Sequence, residues 1–474
     1  MTATATTPSS GVAQGQGPRV LGVWMCTALV VGNVIGVGVF LLPASLAPYG
    51  LTALTGWLIT VVGCIFLAIS FAYLARAFPH DDGPYDYTKR AFGDGLAFTV
   101  MWCYWVSTWV TNATIAVGVV GYLTVFIPAL NNSPWLPPVT ALSLLWFFVL
   151  LNLRGARAVG GTQIATTALK LLPMVGVICL GLWVLLTDPS AYRNHVITSP
   201  TSLSDLSSVS TLTLYAMLGI ECATIPACRV RNPERTIPLA TVIGTILTAA
   251  VYIGVSIVPM LLIPQAALAA SNAPIADVFV RILGARSGDV VALFVSIGGL
   301  GALNGWTMIL GDVTQTIARH GHFPPSLAKE NRHGAPTGAL ILTGVVASIM
   351  LLSNYAQSIG NLFVFLSVVV TAANLPVYFS CTLAIVAIGK QGLTSAQRKR
   401  TVTVVAAAVC AAVYCAWVSI GIGLKPLLWT VALGAVSAPV YWVSRYLKSS
   451  HQAVVPPSIA KSAPVTHADS SEAR

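Results

Sequence analysis

Two ionisable side chains, Lys170 and Glu221, lie deep within apolar stretches of the sequence. A charge inside a membrane span costs a few kcal/mol to insert, and such groups usually mark a transport pathway or a proton relay. Glu221 can titrate, couple ligand binding to helix movement, or satisfy exposed backbone N–H groups. Lys170 can supply the charge that a bound cation would otherwise supply and can release a proton. Alternatively, its stem can carry the ammonium group to the membrane surface.

A cluster of glycines interrupts the first apolar stretch, in the segment 32–43. Gly32, Gly36 and Gly38 are followed by Pro43, and this composition disfavours a continuous helix. Within a bilayer an open backbone is stable only where protein or water satisfies its N–H and C=O groups. The break therefore predicts a binding site, in which N–H groups of the second half-helix would hold a carboxylate. The alternative interpretation is close packing of membrane helices on small residues.

Polar and aromatic side chains on other apolar stretches could complete a pocket. They are Tyr104, Trp105, Ser107, Thr108, Trp109, Asn112, Tyr215, Asn304, Trp306, Ser367, Thr371 and Asn374. An aromatic face can hold a cationic side chain, although each such residue taken singly is more often part of the core or of the interfacial belt. The sequence contains no hydrolase, nucleotide-binding or zinc-protease motif. We therefore predict neither an enzyme activity nor a metal or cofactor.

The composition indicates a multi-pass membrane protein. Hydrophobic residues make up 56% of the 474 residues and charged residues 8%, with a mean hydropathy of +0.80, whereas soluble domains carry about 25% charged residues. We expect a single transporter domain over residues 19–447, flanked by disordered cytosolic tails at 1–18 and 448–474. The predicted membrane helices are 20–46, 51–76, 96–127, 139–153, 162–187, 207–228, 238–263, 288–316, 338–355, 362–389, 402–421 and 427–446.

The distribution of basic residues predicts the orientation. With both termini in the cytoplasm, 20 of the 25 Lys and Arg residues fall in cytoplasmic segments, four in external segments, and Lys170 within a helix. Such an excess of basic residues marks the cytoplasmic side of a membrane protein. The orientation accounts for the net charge of +11 without a nucleic-acid partner, and the protein is expected in the cytoplasmic (inner) membrane.

The two halves of the sequence look like copies of one unit in opposite orientation. The repeats cover about 19–187 and 207–389, and helices 402–446 lie outside them. The break in helix 1 is matched in helix 6 by Leu218–Glu221, and paired interruptions of this kind indicate an alternating-access transporter. The loops at 79–94 and 319–334 also correspond, and each is expected to hold a short amphipathic helix. The predicted fold is thus an all-α membrane protein with twelve helices, a five-plus-five inverted repeat and two extra helices.

Several motifs resemble those of the amino acid–polyamine–organocation transporter superfamily, and within it the basic amino acid–polyamine antiporter branch. They lie at 32–43, 83–85, 102–105, 219–221, 231–238, 305–307 and 321–325. The resemblance extends over nearly the whole chain outside the tails. It implies the same inverted-repeat fold, a lipid-embedded protein and often a homodimer.

The resemblance also implies roles for individual residues. Backbone groups of Val34, Ile35, Gly36 and Gly38 would hold the substrate carboxylate, and Gly219 and Ile220 its amino group. Trp306 would pack on the substrate side chain, and Asn112 would contact the far end of that side chain. Tyr104 and Glu221 would act as gates. The sequence departs from the arginine–agmatine pattern of the branch at Val37, Thr108, Tyr215, Val369 and Val377.

These observations predict a secondary active amino-acid transporter. The expected activity is exchange of an amino acid for an amine or another amino acid, with a preference for basic substrates. One alternative is proton-coupled uptake of a neutral amino acid through Lys170, because a lysine at this position resembles the proton-coupled and exchanger branches of the wider superfamily. A further alternative is a membrane amino-acid sensor that does not transport.

Overall fold

The computed structural model describes residues 23–36, 38–78, 83–193, 202–220, 232–354, 358–388 and 395–453. These residues form α-helices and short 3₁₀ turns, with no β-strand among them. The helices of the first half are α1 (Val23–Val34), α2 (Gly38–Leu46), α3 (Thr52–Ala77), α4 (Pro84–Phe92), α5 (Asp94–Leu123), α6 (Ala129–Asn132), α7 (Leu136–Asn152), α8 (Ala156–Thr187) and α9 (Ser190–Arg193).

The second half is equally helical. Its helices are α10 (Leu203–Met217), α11 (Pro233–Leu262), α12 (Gln265–Ala269), α13 (Pro274–Leu283), α14 (Ala285–Arg319), α15 (Thr337–Asn354), α16 (Ile359–Ile388), α17 (Ser395–Ile420), α18 (Leu424–Ala435) and α19 (Ser437–Ala453). In the described part of the chain, 8 helical segments are long and apolar enough to cross a membrane, with α18 and α19 counted as one, and three shorter apolar helices accompany them. Each of the twelve predicted spans overlaps a helix, but the count of twelve crossings and the inverted repeat remain predictions.

The predicted interruption of the first span is present in the structure. α1 ends at Val34, Ile35 and Gly36 are not helical, and α2 starts at Gly38. The interruption predicted in span six coincides with the end of α10, because Leu218 is extended and Gly219 has a φ of +106°. That backbone region is strongly unfavourable for residues with a Cβ atom. Glu221 and Val37 lie outside the described residues.

The core is built around α5, which is buried on nearly all sides. It packs against α16, α14 and α7 along its length and against α4 near its start. α1 lies against α11, and α8 lies against α14. Because α5 has 30 residues, it extends about 45 Å from one face of the bundle to the other.

Two local expectations differ from the structure. The loop after α3 holds the predicted amphipathic helix, α4, whereas the loop after α14 holds only a 3₁₀ turn at Pro325–Ala328. The chain turns instead at Asn331, whose Oδ1 accepts from the N–H groups of His333 and Ala335, and side-chain bonds of this kind compete with a helix. α19 continues to Ala453, past the predicted domain boundary at residue 447.

Candidate functional site

The end of α1 carries backbone carbonyl groups that its own helix cannot satisfy. Two buried side chains from different helices donate hydrogen bonds to them. The Tyr252 hydroxyl on α11 donates to the Val34 carbonyl at 2.8 Å, and the Lys170 ammonium on α8 donates to the Ile35 carbonyl at 2.6 Å. A cation at a helix C-terminus also interacts favourably with the helix dipole. The break in the first span is thus held in place by α8 and α11.

Lys170 does not extend to the membrane surface. Its side chain is only 2% exposed, so the structure contradicts the alternative in which the stem carries the charge to the interface. Glycine on α14 makes room for it, because a Cβ atom at Gly298 would lie 2.5 Å from the Cβ of Lys170. Small residues at such a crossing let membrane helices approach closely. The lysine is therefore packed between α8 and α14 and directed at the helix break.

A small cavity lies directly at the break between α1 and α2. Its volume is about 30 Å³, which exceeds the roughly 10–15 Å³ that a cavity needs to hold one water molecule. The lining residues are Val34, Gly36, Gly38, Val39, Thr111, Ile115, Tyr215, Ala216, Leu218, Tyr252 and Trp306. Five of these residues belong to the predicted site: Val34, Gly36, Gly38, Tyr215 and Trp306. They come from α1, the break, α2, α10 and α14.

Tyr215 packs closely on the start of α2. A Cβ atom placed on Gly38 would lie 2.6 Å from Cε1 of the Tyr215 ring, so glycine is the only residue that fits here without a rearrangement. The Tyr215 ring also meets Phe363 of α16 in an edge-to-face contact, with ring centroids 5.9 Å apart. These two rings form a layer above the cavity.

A much larger vestibule lies on the other side of that layer. Its volume is about 890 Å³, and its walls include Leu41, Leu212 and Phe363 near the ring layer and Asn131 and Asn272 in the connecting loops. It opens at the end of α5 that is opposite to α4. Phe363 lines the vestibule and Tyr215 lines the small cavity, so the contact between these two rings joins the walls of the two spaces.

Other predicted residues of α5 are buried near the cavity but do not line it. The Thr108 hydroxyl donates to the Trp105 carbonyl, and the Ser107 carbonyl accepts from the Thr111 hydroxyl. Thr111, which the sequence interpretation did not select, lines the cavity instead. Asn112 is buried, and its Oδ1 has no hydrogen-bond partner among the described residues.

The remaining predicted residues either do not line the cavity or lie outside the described part of the chain. Tyr104 is buried on α5, and Gly219 and Ile220 follow the end of α10 without lining the cavity. Glu221, the predicted gating acid, is beyond the described residues. Within the residues that line the cavity there is no charged side chain, and no group of metal ligands occurs in the described part of the chain.

Tyr252 and Phe363 are the principal residues that the sequence interpretation missed. Tyr252 has no sequence signal of its own, because it is one tyrosine within an apolar helix. Its importance follows only from its contact with the Val34 carbonyl. Phe363 is likewise one of several aromatic residues in an apolar segment.

Comparison with known proteins agrees with this architecture. A family model described as amino acid permease matches residues 21–443. The cadaverine/lysine antiporter of Escherichia coli K12 is 32% identical over 369 residues, which cover 76% of this chain and 82% of that protein. A putative arginine/ornithine antiporter of Bacillus subtilis 168 is 32% identical over 386 residues, covering 75% of this chain and 82% of that protein.

A third relative matches a similar share of this chain. The putrescine transporter PotE of Escherichia coli K12 is 29% identical over 374 residues, covering 78% of this chain and 84% of that protein. The matched regions include the broken first helix, α5 and α14, which together surround the small cavity. The chain therefore belongs to the amino acid permease family.

Proposed function

We propose that this protein exchanges a basic amino acid for a related amine or amino acid across the cytoplasmic membrane by alternating access. One observation carries the proposal: the backbone of a broken membrane helix, Tyr215 and Trp306 enclose one cavity. The names of the relatives, which are antiporters and transporters of basic amino acids and polyamines, support the choice of substrate class.

The backbone groups at the break define how a substrate would bind. The carbonyls of Val34 and Ile35 are already occupied by Tyr252 and Lys170, and the Gly36 N–H lies near the Tyr252 hydroxyl oxygen. The N–H group of Gly38, at the start of α2, would therefore hold the substrate carboxylate, joined by that of Gly36 once it leaves Tyr252. Hydrogen-bond donors at a helix N-terminus, here that of α2, suit an anion. The substrate amino group would lie toward the end of α10, near Gly219 and Ile220.

The side chain of a basic substrate would lie along Trp306. An indole face attracts a cation by about 0.5–2 kcal/mol, more where water is excluded. The Oδ1 atom of Asn112, a buried acceptor without a partner among the described residues, is available for the far end of the substrate. An aromatic face and a carboxamide recognise an ammonium or guanidinium group without placing a fixed negative charge in the membrane.

Alternating access requires one barrier on each side of the cavity. The Tyr215–Phe363 ring layer is the thin barrier toward the vestibule. On the opposite side, α1 is anchored by Tyr252 and Lys170, and detachment of α1 would open that side. The excess of basic residues around α4 and the α14–α15 loop supports an orientation with that side in the cytoplasm.

The experiment is uptake of radiolabelled lysine or arginine into proteoliposomes that contain cadaverine, agmatine, a neutral amino acid or buffer alone. We expect uptake only into vesicles loaded with a basic amino acid or amine. Trp306→Ala should raise the KM for the labelled substrate about tenfold or more, as expected for loss of a desolvated cation–π contact. The matched control is Trp183→Ala, because Trp183 is 51% exposed on the outside of α8. Equal uptake into empty vesicles would refute exchange.

A second candidate function is proton-coupled uptake of a neutral amino acid. It is favoured by Lys170, a buried ammonium bound directly to the helix break. Under this mechanism loss of the proton would weaken the hold on α1, so an inward proton gradient should drive neutral amino acids into empty vesicles. Lys170→Met should abolish that gradient dependence. If the gradient has no effect on any neutral substrate in the unsubstituted protein, this candidate is eliminated.

A further inference from the structure

A buried histidine lies at the end of the bundle opposite to the vestibule. His322 follows α14 and is 3% exposed. Its ring lies between the rings of Phe98 on α5 and Tyr441 on α19, with centroids 4.6 and 5.6 Å away. α4 lies against the same cluster through Tyr85. The ring is thus enclosed by three helices and does not take part in the proposed transport site.

The hydrogen bonds around His322 determine which protons the ring must carry. Nε2 lies 3.0 Å from the Tyr85 hydroxyl oxygen, and Nδ1 lies 3.4 Å from the Ser444 hydroxyl oxygen. The Tyr85 hydroxyl donates its proton to Oδ1 of Asp94 at 2.8 Å, and the Ser444 hydroxyl donates its proton to the Tyr441 carbonyl at 2.7 Å. A hydroxyl group has a single proton to donate. Both hydroxyl oxygens therefore offer only lone pairs to the imidazole.

The imidazolium form is the one that keeps all four of these contacts as hydrogen bonds. A neutral imidazole has one N–H donor and one acceptor nitrogen, whereas the protonated ring has two donors. With a neutral ring, one nitrogen would face an oxygen whose proton is already used, and either Tyr85 or Ser444 would have to give up its bond to Asp94 or Tyr441. Burial and the nearby Asp94 carboxylate raise the pKa of Tyr85, so the phenol keeps the proton that it donates.

The charges around the ring are compatible with a cation. Oδ2 of Asp94 lies 3.6 Å from Nε2, and the two flanking aromatic rings present faces that attract positive charge. Lys89 of α4 opposes this, because its ammonium lies 3.2 Å from Oδ1 of Asp94. That pair is partly exposed to solvent, with 46% and 40% of the side chains accessible, so water screens the repulsion.

Three further ionisable groups lie around the cluster. Asp86 of α4 interacts with Tyr85 and contributes negative charge. The ring of His320 lies 4.4 Å from that of Tyr85. The guanidinium group of Arg445 on α19 lies 5.8 Å from the centroid of the Tyr441 ring. The side chain in direct charge contact with His322 is therefore an acid, and the basic groups are a further residue away.

We propose that His322 is a proton-binding site that takes up a proton from the compartment facing α4 and, once charged, ties α4 and α19 to the start of α5. The partly exposed Asp94 carboxylate gives the proton a route from water to the buried ring. In the proposed orientation that compartment is the cytoplasm. The assignment of the proton site does not depend on the substrate or on exchange.

The test is ¹⁵N NMR of the full chain in lipid nanodiscs with ¹⁵N-labelled histidine, at about pH 7.5, where an ordinary histidine with a pKa of about 6.5 is mostly neutral. We expect one imidazolium signal with both nitrogens protonated among the seven histidines. It should disappear in His322→Gln and persist in His333→Gln, because His333 is an exposed residue.

A second variant keeps the histidine and therefore avoids loss of the packed ring. Tyr85→Phe removes the acceptor of Nε2 while retaining the aromatic ring, and Asp94→Asn removes the negative charge. Each should convert the imidazolium signal to that of a neutral ring at the same pH. A neutral His322 in the unsubstituted protein, or an imidazolium signal unchanged in both variants, would overturn the proposal.

Discussion

Tyr252→Phe is the substitution that most directly tests how the broken helix is held. It removes the hydroxyl group that donates to the Val34 carbonyl at 2.8 Å and leaves the aromatic ring in place. The ring should retain its edge-to-face contact with Trp57, with centroids 5.9 Å apart. The change therefore removes the hydroxyl group from its contacts with the Val34 carbonyl and the Gly36 N–H and alters very little packing.

The expected magnitude follows from burial. Tyr252 is fully buried, so in the variant the Val34 carbonyl would face a phenylalanine edge with no hydroxyl donor. An unsatisfied buried acceptor costs about 1–3 kcal/mol. When α1 detaches, water satisfies this carbonyl in both proteins, so the cost falls only on the docked state. With a factor of ten for each 1.4 kcal/mol, the detached state should become about 5–150 times more populated.

Hydrogen–deuterium exchange of the α1 amides measures this population, because exchange reports the free energy of local opening. We expect amides of residues 23–36 to exchange faster in the variant by the factor given above. Exchange in α5, which the substitution does not touch, should be unchanged. Substrate exchange in proteoliposomes should become slower or acquire a leak, because α1 no longer returns as readily to its docked position.

Tyr122→Phe is the matched control. Its buried hydroxyl also donates to a backbone carbonyl at 2.8 Å, but that carbonyl belongs to Phe40 of α2. Loss of this bond should loosen α2 and leave α1 as it was. If Tyr252→Phe leaves the exchange of α1 unchanged, or if both variants affect α1 equally, the reasoning that Tyr252 anchors α1 is wrong.

Three further predictions concern the region around the cavity. Gly38→Ala should abolish transport, because its Cβ would lie 2.6 Å from the Tyr215 ring. Gly360→Ala at the vestibule wall should be tolerated, since no atom lies within 4 Å of the added carbon. Equal transport rates in the two variants would contradict this prediction. Phe363→Leu removes an edge-to-face contact with Tyr215 worth about 0.5–1.5 kcal/mol. It should raise the KM measured from the vestibule side by about 2- to 12-fold, and an unchanged KM would show that the ring layer is not a barrier. Glu221→Gln should remove the pH dependence of transport between about pH 5 and 8 if the intramembrane acid titrates during the cycle, and retention of the unsubstituted pH profile would make it structural.

The sequence was sufficient for features that depend on local chemistry. The break in the first span could be predicted because Gly36 and Gly38 lack the Cβ atoms that favour a helix, whatever surrounds them. The position of Lys170 within an apolar segment likewise required an internal partner, and the structure supplies the Ile35 carbonyl. Such conclusions follow from the cost of open backbone and of charge in a membrane, which the sequence reveals directly.

The tertiary structure decided which residues meet. In a membrane bundle the lipid-facing and protein-facing sides of a helix are both apolar, so hydrophobic periodicity does not distinguish them. For that reason the sequence could not select Tyr252 or Phe363, and it selected Ser107 and Thr108 although Thr111 lines the cavity. Nor did the sequence single out His322 within the loop at 319–334, because only the packing of Phe98 and Tyr441 around the ring buries it. Local backbone chemistry determined where the first membrane helix breaks. Which side chains face the break depends on how the helices pack together, and no single helix encodes that packing.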